Sequence, residues 1–261
     1  MQRSQQVMGT VVSFSLREAE RATDGAPAPE PAAEAALERA EAKLRWVDDV
    51  FSTYKPQSPV SRLRRGAIEL DAAPPEVAEV LELCRRVKDA SDGWFDPWNM
   101  PGGLDPTGLV KGWAAERALD ELKNAGVPAA LINAGGDITA YGRPAAGQPW
   151  RIGIRHPLAE DRLLLMVEFD GPGAIATSGT YERGEHLIDP NTGAPAHGLL
   201  SATVVGIDLA FADALATALF VSGGKLLERI SRLAGYHGFT VSGDGIVRAS
   251  RGLPVALKTA A

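Results

Sequence analysis

The stretch that most constrains this chain is a turn at residues 104–112, Leu-Asp-Pro-Thr-Gly-Leu-Val-Lys-Gly, which runs directly into a helix. We predict that Thr107 caps this helix and that Lys111 lies in its first turn. A helix N-terminus offers unpaired backbone N–H groups and a partial positive charge, which suits a phosphate, and a lysine beside it strengthens that suitability. An ordinary capped helix with a surface lysine explains the same residues, so this stretch alone leaves both interpretations open.

A short apolar strand follows at residues 129–133 and breaks into Gly135, Gly136 and Asp137. Paired glycines at the end of a strand indicate that the backbone approaches another group closely. Either a ligand or a neighbouring segment satisfies that pattern.

The order of the predicted elements indicates an α+β fold with mixed, largely antiparallel sheets and packed helices, because strands and helices do not alternate in a regular βαβ pattern. We predict a strand at residues 7–16 and helices that include one at 225–234. A further helix is predicted from a buried stripe at alternating three- and four-residue spacing, formed by Leu37, Ala40, Leu44, Val47 and Phe51. We predict a single domain over residues 1–261, with a flexible Ala-, Pro-, Glu- and Gly-rich insertion near 19–33.

Charge and composition exclude several classes of protein. The formal net charge is -6, so the basic face of a nucleic-acid-binding protein is not expected. Arg62, Arg64 and Arg65 form a local basic run, which we interpret as a solvated loop. No apolar run reaches the length of a transmembrane helix, and the first eight residues contain no apolar signal core. The chain as given is therefore expected to be cytoplasmic, although a trimmed chain would look the same.

Asp213 and Thr217 lie four residues apart in a predicted helix, which places them on one face. A carboxylate and a hydroxyl are hard oxygen ligands of the kind that Mg²⁺ takes, with water and substrate phosphate completing the shell. A helix-capping Asp and a Thr bonded back to its own helix are the alternative.

Two further groups have a chemical and a structural interpretation. His186 lies between Glu185 and Asp189, and an imidazole there is either a general base or a structural side chain. The aromatic cluster at residues 94–98, Trp-Phe-Asp-Pro-Trp, either stacks on a flat ligand or fills the core.

Eight short motifs follow one another along the chain. They lie at residues 8–10, 51–54 with 61–63, 93–96, 105–112, 133–137, 177–179, 186–193 and 212–218. In this order they resemble the ApbE-like family of FAD:protein FMN transferases, also called flavin transferases, over about residues 7 to 224.

The resemblance implies an ApbE-like, T-fold-related architecture and an enzyme that takes FAD as its substrate. Such enzymes use Mg²⁺ to move FMN onto a Thr or Ser hydroxyl of an acceptor flavoprotein, and they release AMP. An FAD pyrophosphatase that produces FMN and AMP, or a non-catalytic FAD-binding protein, is the alternative. Many relatives are exported or lipid-anchored, whereas this chain is expected to modify a cytoplasmic partner.

The resemblance also implies roles for individual positions. Asp213 and Thr217 match the metal ligands, with backbone oxygens near Gly108 and Ala216 completing the site. His186, Asp213 and Lys111 match catalytic positions, with His186 as the general base. The positions implied to bind the flavin nucleotide are Met8, Tyr54, Trp94, Phe95, Asp96, Asp105, Lys111, His186 and Ile188. The segment at 97–103 is shorter than in many relatives, so this pocket wall is expected to differ.

Overall fold

The computed structural model describes residues 1–17, 30–179 and 187–253. Within these residues the helices are α1 (Glu30–Phe51), α2 (Pro59–Arg64), α3 (Pro75–Ala90), α4 (Thr107–Asn124), α5 (Leu209–Val221) and α6 (Leu227–Ile230). The strands are β1 (Gln2–Val7), β2 (Thr10–Arg17), β3 (Ala129–Ala134), β4 (Asp137–Tyr141), β5 (Trp150–His156), β6 (Ala159–Phe169), β7 (Gly173–Gly179), β8 (Leu199–Gly206), β9 (His237–Ser242) and β10 (Val247–Ala249).

Eight of the described strands form one sheet in the order β1-β2-β3-β4-β7-β8-β9-β10, and every neighbouring pair is antiparallel. Strands β5 and β6 pair only with each other. The prediction of an α+β fold with largely antiparallel sheets is confirmed.

Helices α1, α4 and α5 cover one face of the large sheet. The predicted stripe on α1 is buried, with Leu37, Ala40, Leu44 and Val47 fully inaccessible to solvent. On β3, Ala130 and Ile132 belong to this helical core, because alternate residues of a strand point to the same face.

The β5–β6 hairpin covers the opposite face. Trp150, Ile152, Val167 and Phe169 form a second buried cluster with Ile175 of the large sheet. The Trp150 indole N–H donates to the Tyr141 carbonyl at 3.2 Å, which satisfies its polar atom inside this cluster. The two faces therefore have separate cores.

Two predicted elements are wrong in their extent. The strand predicted at 7–16 is the second half of a hairpin, because the chain turns at Met8 and Gly9, whose φ angles are +53° and +68°. The helix predicted at 225–234 is helical only over Leu227–Ile230. Gly223 and Gly224 precede it, and Gly235 follows it, all with positive φ, so turns occupy both sides of this short helix.

The predicted insertion near 19–33 overlaps the start of α1, since that helix begins at Glu30. Residues 30–33 are thus helical, and residues 18–29 lie outside the described residues. Across the parts of the chain that are described, no helix combines the length and apolar composition that a membrane crossing requires.

Candidate active site

The turn before α4 is organised by Asp105. Its Oδ1 accepts hydrogen bonds from the Thr107 backbone N–H at 3.0 Å and from the Thr107 hydroxyl at 2.6 Å. The prediction that Thr107 caps the helix is wrong, because α4 begins at Thr107 itself, directly after Pro106. The carboxylate of Asp105 provides the oxygen that the first N–H groups of a helix require.

Helices α4 and α5 approach each other closely at Gly112. A Cβ atom at this position would lie 2.5 Å from the Leu209 carbonyl oxygen, so only glycine allows this backbone contact. The approach brings the side chain of Asp213 to α4, where its Oδ2 accepts a hydrogen bond from the Gly112 N–H at 3.2 Å.

Lys111 lies between two buried carboxylates. Its ammonium forms an ion pair with Asp137 and lies 3.6 Å from Oδ1 of Asp213. The other oxygen of Asp137 accepts a hydrogen bond from the Thr177 N–H at 2.9 Å. Lys111 and Asp213 are predicted site residues, whereas sequence reasoning gave Asp137 no role of its own. The signal for Asp137 was its place directly after two glycines at the end of a strand.

Burial raises the pKa of the Asp213 carboxyl above its usual value; the Lys111 ammonium lowers it again, and the Asp137 charge adds to the rise. Two buried carboxyl groups share one ammonium here. Carboxyl oxygens are of the ligand type that hard cations take.

Thr217 lies one turn beyond Asp213, on the same face of α5 as the spacing predicted. Its hydroxyl is 3.2 Å from the Ser178 hydroxyl on β7. Among the described residues, no group of three or more His, Cys, Asp or Glu side chains is positioned to hold a metal ion. A metal at this place would therefore depend on hydroxyl, carbonyl or water oxygens in addition to the carboxylates.

Lys111, Asp213 and Thr217 line a cavity of about 610 Å³, within the size range of small-molecule sites. The predicted site residues on its wall are Met8, Tyr54, Trp94, Phe95, Asp96, Asp105, Gly108, Lys111, Ile188, Asp213 and Thr217. Ala216 is fully buried within α5 and is not part of the described wall. His186 lies outside the described residues.

The aromatic side chains of the wall differ in their surroundings. Tyr54 is 94 % exposed, so its ring is accessible at the cavity mouth. Phe95 is buried, and its ring lies 3.2 Å from where a Cβ on Gly108 would be. Trp94 is half-buried, with the Lys225 ammonium 5.3 Å from its ring centroid. Phe95 thus fills the core, whereas Tyr54 and Trp94 retain faces that a flat ligand can meet.

Arg64 fixes the loop that forms one side of the cavity. Its guanidinium donates to the Pro101 and Gly102 carbonyl oxygens, the latter at 2.6 Å, and lies 3.7 Å from the Asp105 carboxylate. The interpretation of Arg62, Arg64 and Arg65 as a solvated loop is therefore wrong, because Arg62 and Arg64 lie in α2 and Arg65 directly follows it. Arg64 also holds the wall residue Asp105 and the loop before it.

The model of the ApbE family matches residues 8–101 and 99–237 of this chain. The chain belongs to the ApbE family. This confirms the resemblance that the motifs indicated. The solved flavin transferase ApbE from Vibrio cholerae has the same fold, with a TM-score of 0.79 over 97 % of each chain at 23 % identity. The flavinyl transferase ApbE of Pseudomonas stutzeri, in its apo form, matches 96 % of this chain and 95 % of its own, with a TM-score of 0.76 and 26 % identity.

Curated members of the family provide the functional comparison. The FAD:protein FMN transferase of Salmonella typhimurium is 32 % identical over 152 residues, which is 54 % of this chain and 43 % of that protein. The FAD:protein FMN transferase of Vibrio cholerae is 36 % identical over 129 residues, 46 % of this chain and 39 % of that protein. The chain thus spans less than half the length of these curated relatives it matches.

Proposed function

We propose that this ApbE-family chain is a Mg²⁺-dependent FAD:protein FMN transferase. It takes FAD as its substrate, transfers FMN to a Thr or Ser hydroxyl of an acceptor flavoprotein and releases AMP. The observation that carries the proposal is the cavity of about 610 Å³ whose wall combines Lys111, Asp213 and Thr217. The activity named for the curated relatives supports the same reaction.

The cavity wall fits a magnesium ion. Mg²⁺ takes oxygen ligands, retains several waters and needs only one or two protein carboxylates. The buried Asp213 carboxylate and the Thr217 hydroxyl, one turn apart on α5, would hold it, with backbone oxygens near Gly108 and Ala216 as the further predicted ligands. When bound, the ion would offset the negative charge that develops on the phosphates.

Lys111 and the first turn of α4 would place fixed positive charge beside the pyrophosphate of FAD. The Lys111 ammonium pairs with Asp137 and Asp213, and Lys111 and Asp213 line the cavity. A positive group that is already in position stabilises developing charge without reorganisation.

In the transfer, the acceptor hydroxyl oxygen forms a bond with the FMN phosphorus. The bond from that phosphorus to the bridging oxygen breaks, and AMP leaves with the electron pair. The hydroxyl proton must leave at the same time, and His186 is the predicted base for it. Because His186 lies outside the described residues, its role stays a prediction.

The flavin end of the substrate would meet the exposed Tyr54 ring and Met8 at the cavity mouth. Stacking on an accessible aromatic face suits the flat isoalloxazine ring. Tyr54 is thus proposed to contribute mainly to FAD affinity.

The test is to incubate the protein with FAD and Mg²⁺, with and without EDTA, and with and without an acceptor. A suitable acceptor is a flavoprotein that carries FMN on a threonine, prepared without its flavin. Flavin that stays on the acceptor through denaturation, together with metal-dependent AMP, supports the transferase. Free FMN and AMP without acceptor indicate a pyrophosphatase, and intact FAD with acceptor and metal indicates a binding protein.

A further inference from the structure

Glu116 on α4 binds the beginning of α5, although the two segments are 93 residues apart in the chain. One carboxylate oxygen accepts a hydrogen bond from the Leu209 N–H, and the other accepts from the Ala210 N–H at 3.4 Å. The N-cap residue of α5, Asp208, accepts separately from the Phe211 N–H at 2.7 Å. The start of α5 is therefore held by its own cap and by a carboxylate of the neighbouring helix.

This contact is aligned with the proposed active site. Glu116 lies one turn after Gly112 on α4, and Leu209 lies one turn before Asp213 on α5. The Gly112 N–H donates to Asp213, so the two helices are joined by two polar contacts one turn apart. Because an α-helix is rigid over a single turn, the position of its first N–H groups sets the position of the side chains that follow.

We propose that Glu116 is a positioning residue for the reaction. By holding the first backbone N–H groups of α5 on α4, it sets where Asp213 and Thr217 lie relative to Lys111. The inference rests on the proposed function, since it assigns these groups to that reaction. In this role Glu116 acts through α5 and does not need to contact the substrate or a metal.

The protonation state of Glu116 suggests an informative variant. Burial raises the pKa of this carboxyl to about 8, and the neighbouring Asp208 charge adds to the rise. Glutamine has nearly the same shape as a neutral carboxyl, and its carbonyl oxygen accepts a backbone N–H bond. Glu116→Gln should therefore preserve the contact to Leu209, whereas Glu116→Ala removes it.

Glu79 provides a matched control. Its carboxylate also bonds to α4, through the Trp113 indole N–H at 3.0 Å and the Arg117 guanidinium. It comes from α3, and among the described residues its hydrogen bonds reach α4 and not α5. Glu79→Ala removes a carboxylate contact to α4 while the α4–α5 contact stays.

The experiment compares wild type, Glu116→Ala, Glu116→Gln and Glu79→Ala for kcat, KM for FAD and the Mg²⁺ concentration that gives half-maximal rate. Loss of a group that orients a metal ligand typically costs about 10- to 100-fold. We expect Glu116→Ala to lower kcat and raise the Mg²⁺ requirement by about tenfold each, with a much smaller change in KM. Glu116→Gln should restore most of the rate, and Glu79→Ala should retain it.

A second measurement separates this inference from the proposed function. Amide hydrogen exchange of Leu209–Val221 should be faster in Glu116→Ala than in Glu79→Ala at matched thermal stability. If wild type transfers no flavin, the proposed function fails, and the exchange comparison still tests the contact. The inference is overturned if Glu116→Ala keeps the wild-type kcat and Mg²⁺ requirement, if both alanine variants lose activity equally, or if exchange in α5 is unchanged.

Discussion

The two faces of the large sheet are covered by different chemistry. On the helical side, Asp137 and Asp213 are buried with Lys111 between them. On the hairpin side, Trp150 and Phe169 pack with Ile152, Val167 and Ile175, and no charged side chain of the described residues is buried with them. The same sheet therefore supports a charged interior on one face and an apolar interior on the other.

The buried charges on the helical face have a free-energy cost that the apolar side chains on the hairpin face do not have. A buried charge costs free energy even when it is paired, and apolar side chains of similar volume often replace such pairs without loss of stability. The hairpin face demonstrates that apolar packing suffices to cover this sheet. We therefore propose that the charged cluster serves binding or catalysis, since ionisable groups held at shifted pKa values are typical of such sites.

The largest effect should come from removing Asp213. We expect Asp213→Ala to lower metal-dependent turnover by more than about 100-fold, beyond the loss seen when only a supporting residue is removed. Thermal stability should stay close to wild type, because Asp137 still pairs with the Lys111 ammonium after the Asp213 carboxyl is removed. Rates with FAD and acceptor, together with thermal unfolding, measure both quantities. Turnover at the wild-type rate would show that the charged cluster is structural.

On the hairpin side, Phe169→Ala should lower stability and leave turnover unchanged. Phe169 is 5 % exposed, and removing such a ring typically costs about 3 to 5 kcal/mol of unfolding free energy. Denaturant unfolding should detect this loss, while kcat/KM of the remaining folded protein stays unchanged. Leu163→Ala, on the same strand but 53 % exposed, is the control and should cost little. A large fall in kcat/KM for Phe169→Ala would contradict the assignment of turnover to the helical face alone.

The sequence predicted local features better than distant ones. The stripe on α1 follows from spacing within one helix, and all its members are buried. Asp213 and Thr217 likewise share a face because they lie four residues apart. Glu116 and Arg64 were missed because they bind backbone groups 93 and 38 residues away. A backbone N–H or carbonyl is present at almost every position, so no residue pattern marks such a partner.

The pH dependence of stability sharpens the comparison on the helical side. The pKa of Glu116 is raised to about 8 in the folded protein, above the ordinary value of 4.5. Between these values the folded state binds more protons than the unfolded state, so this carboxyl makes stability fall as pH rises. Each pKa unit of difference between the folded and unfolded states corresponds to about 1.4 kcal/mol, so the free energy of unfolding changes by a few kcal/mol across this pH range.

Glu116→Gln removes this titration. We expect its unfolding free energy to exceed that of wild type at pH 8 and the difference to shrink toward pH 4.5. Denaturant unfolding of both proteins across this range measures the difference, and other titrating groups cancel in the comparison. A variant that is less stable than wild type at pH 8 would mean that the N–H groups of Leu209 and Ala210 stabilise the charged carboxylate more than burial penalises it.

The smallest effect is expected at the edge of the helical side, where Arg64 holds the loop. Arg64→Ala removes the bonds to Pro101 and Gly102, and hydrogen bonds to a charged group contribute roughly 1.5 to 3 kcal/mol when buried. Solvent reaches this site and weakens the contribution of these hydrogen bonds. We therefore expect KM for FAD to rise by about three- to tenfold, with kcat nearly constant.

Arg65→Ala is the matched control, because Arg65 donates to the Pro56 carbonyl and does not hold this loop. If both variants raise KM equally, the effect comes from lost positive charge near the cavity, and the loop contact has no separate role. If only Arg64→Ala raises KM, one guanidinium sets the position of the wall that the sequence predicted to differ from relatives. The charged side of the sheet then controls affinity through its loops as well as turnover through its buried carboxylates.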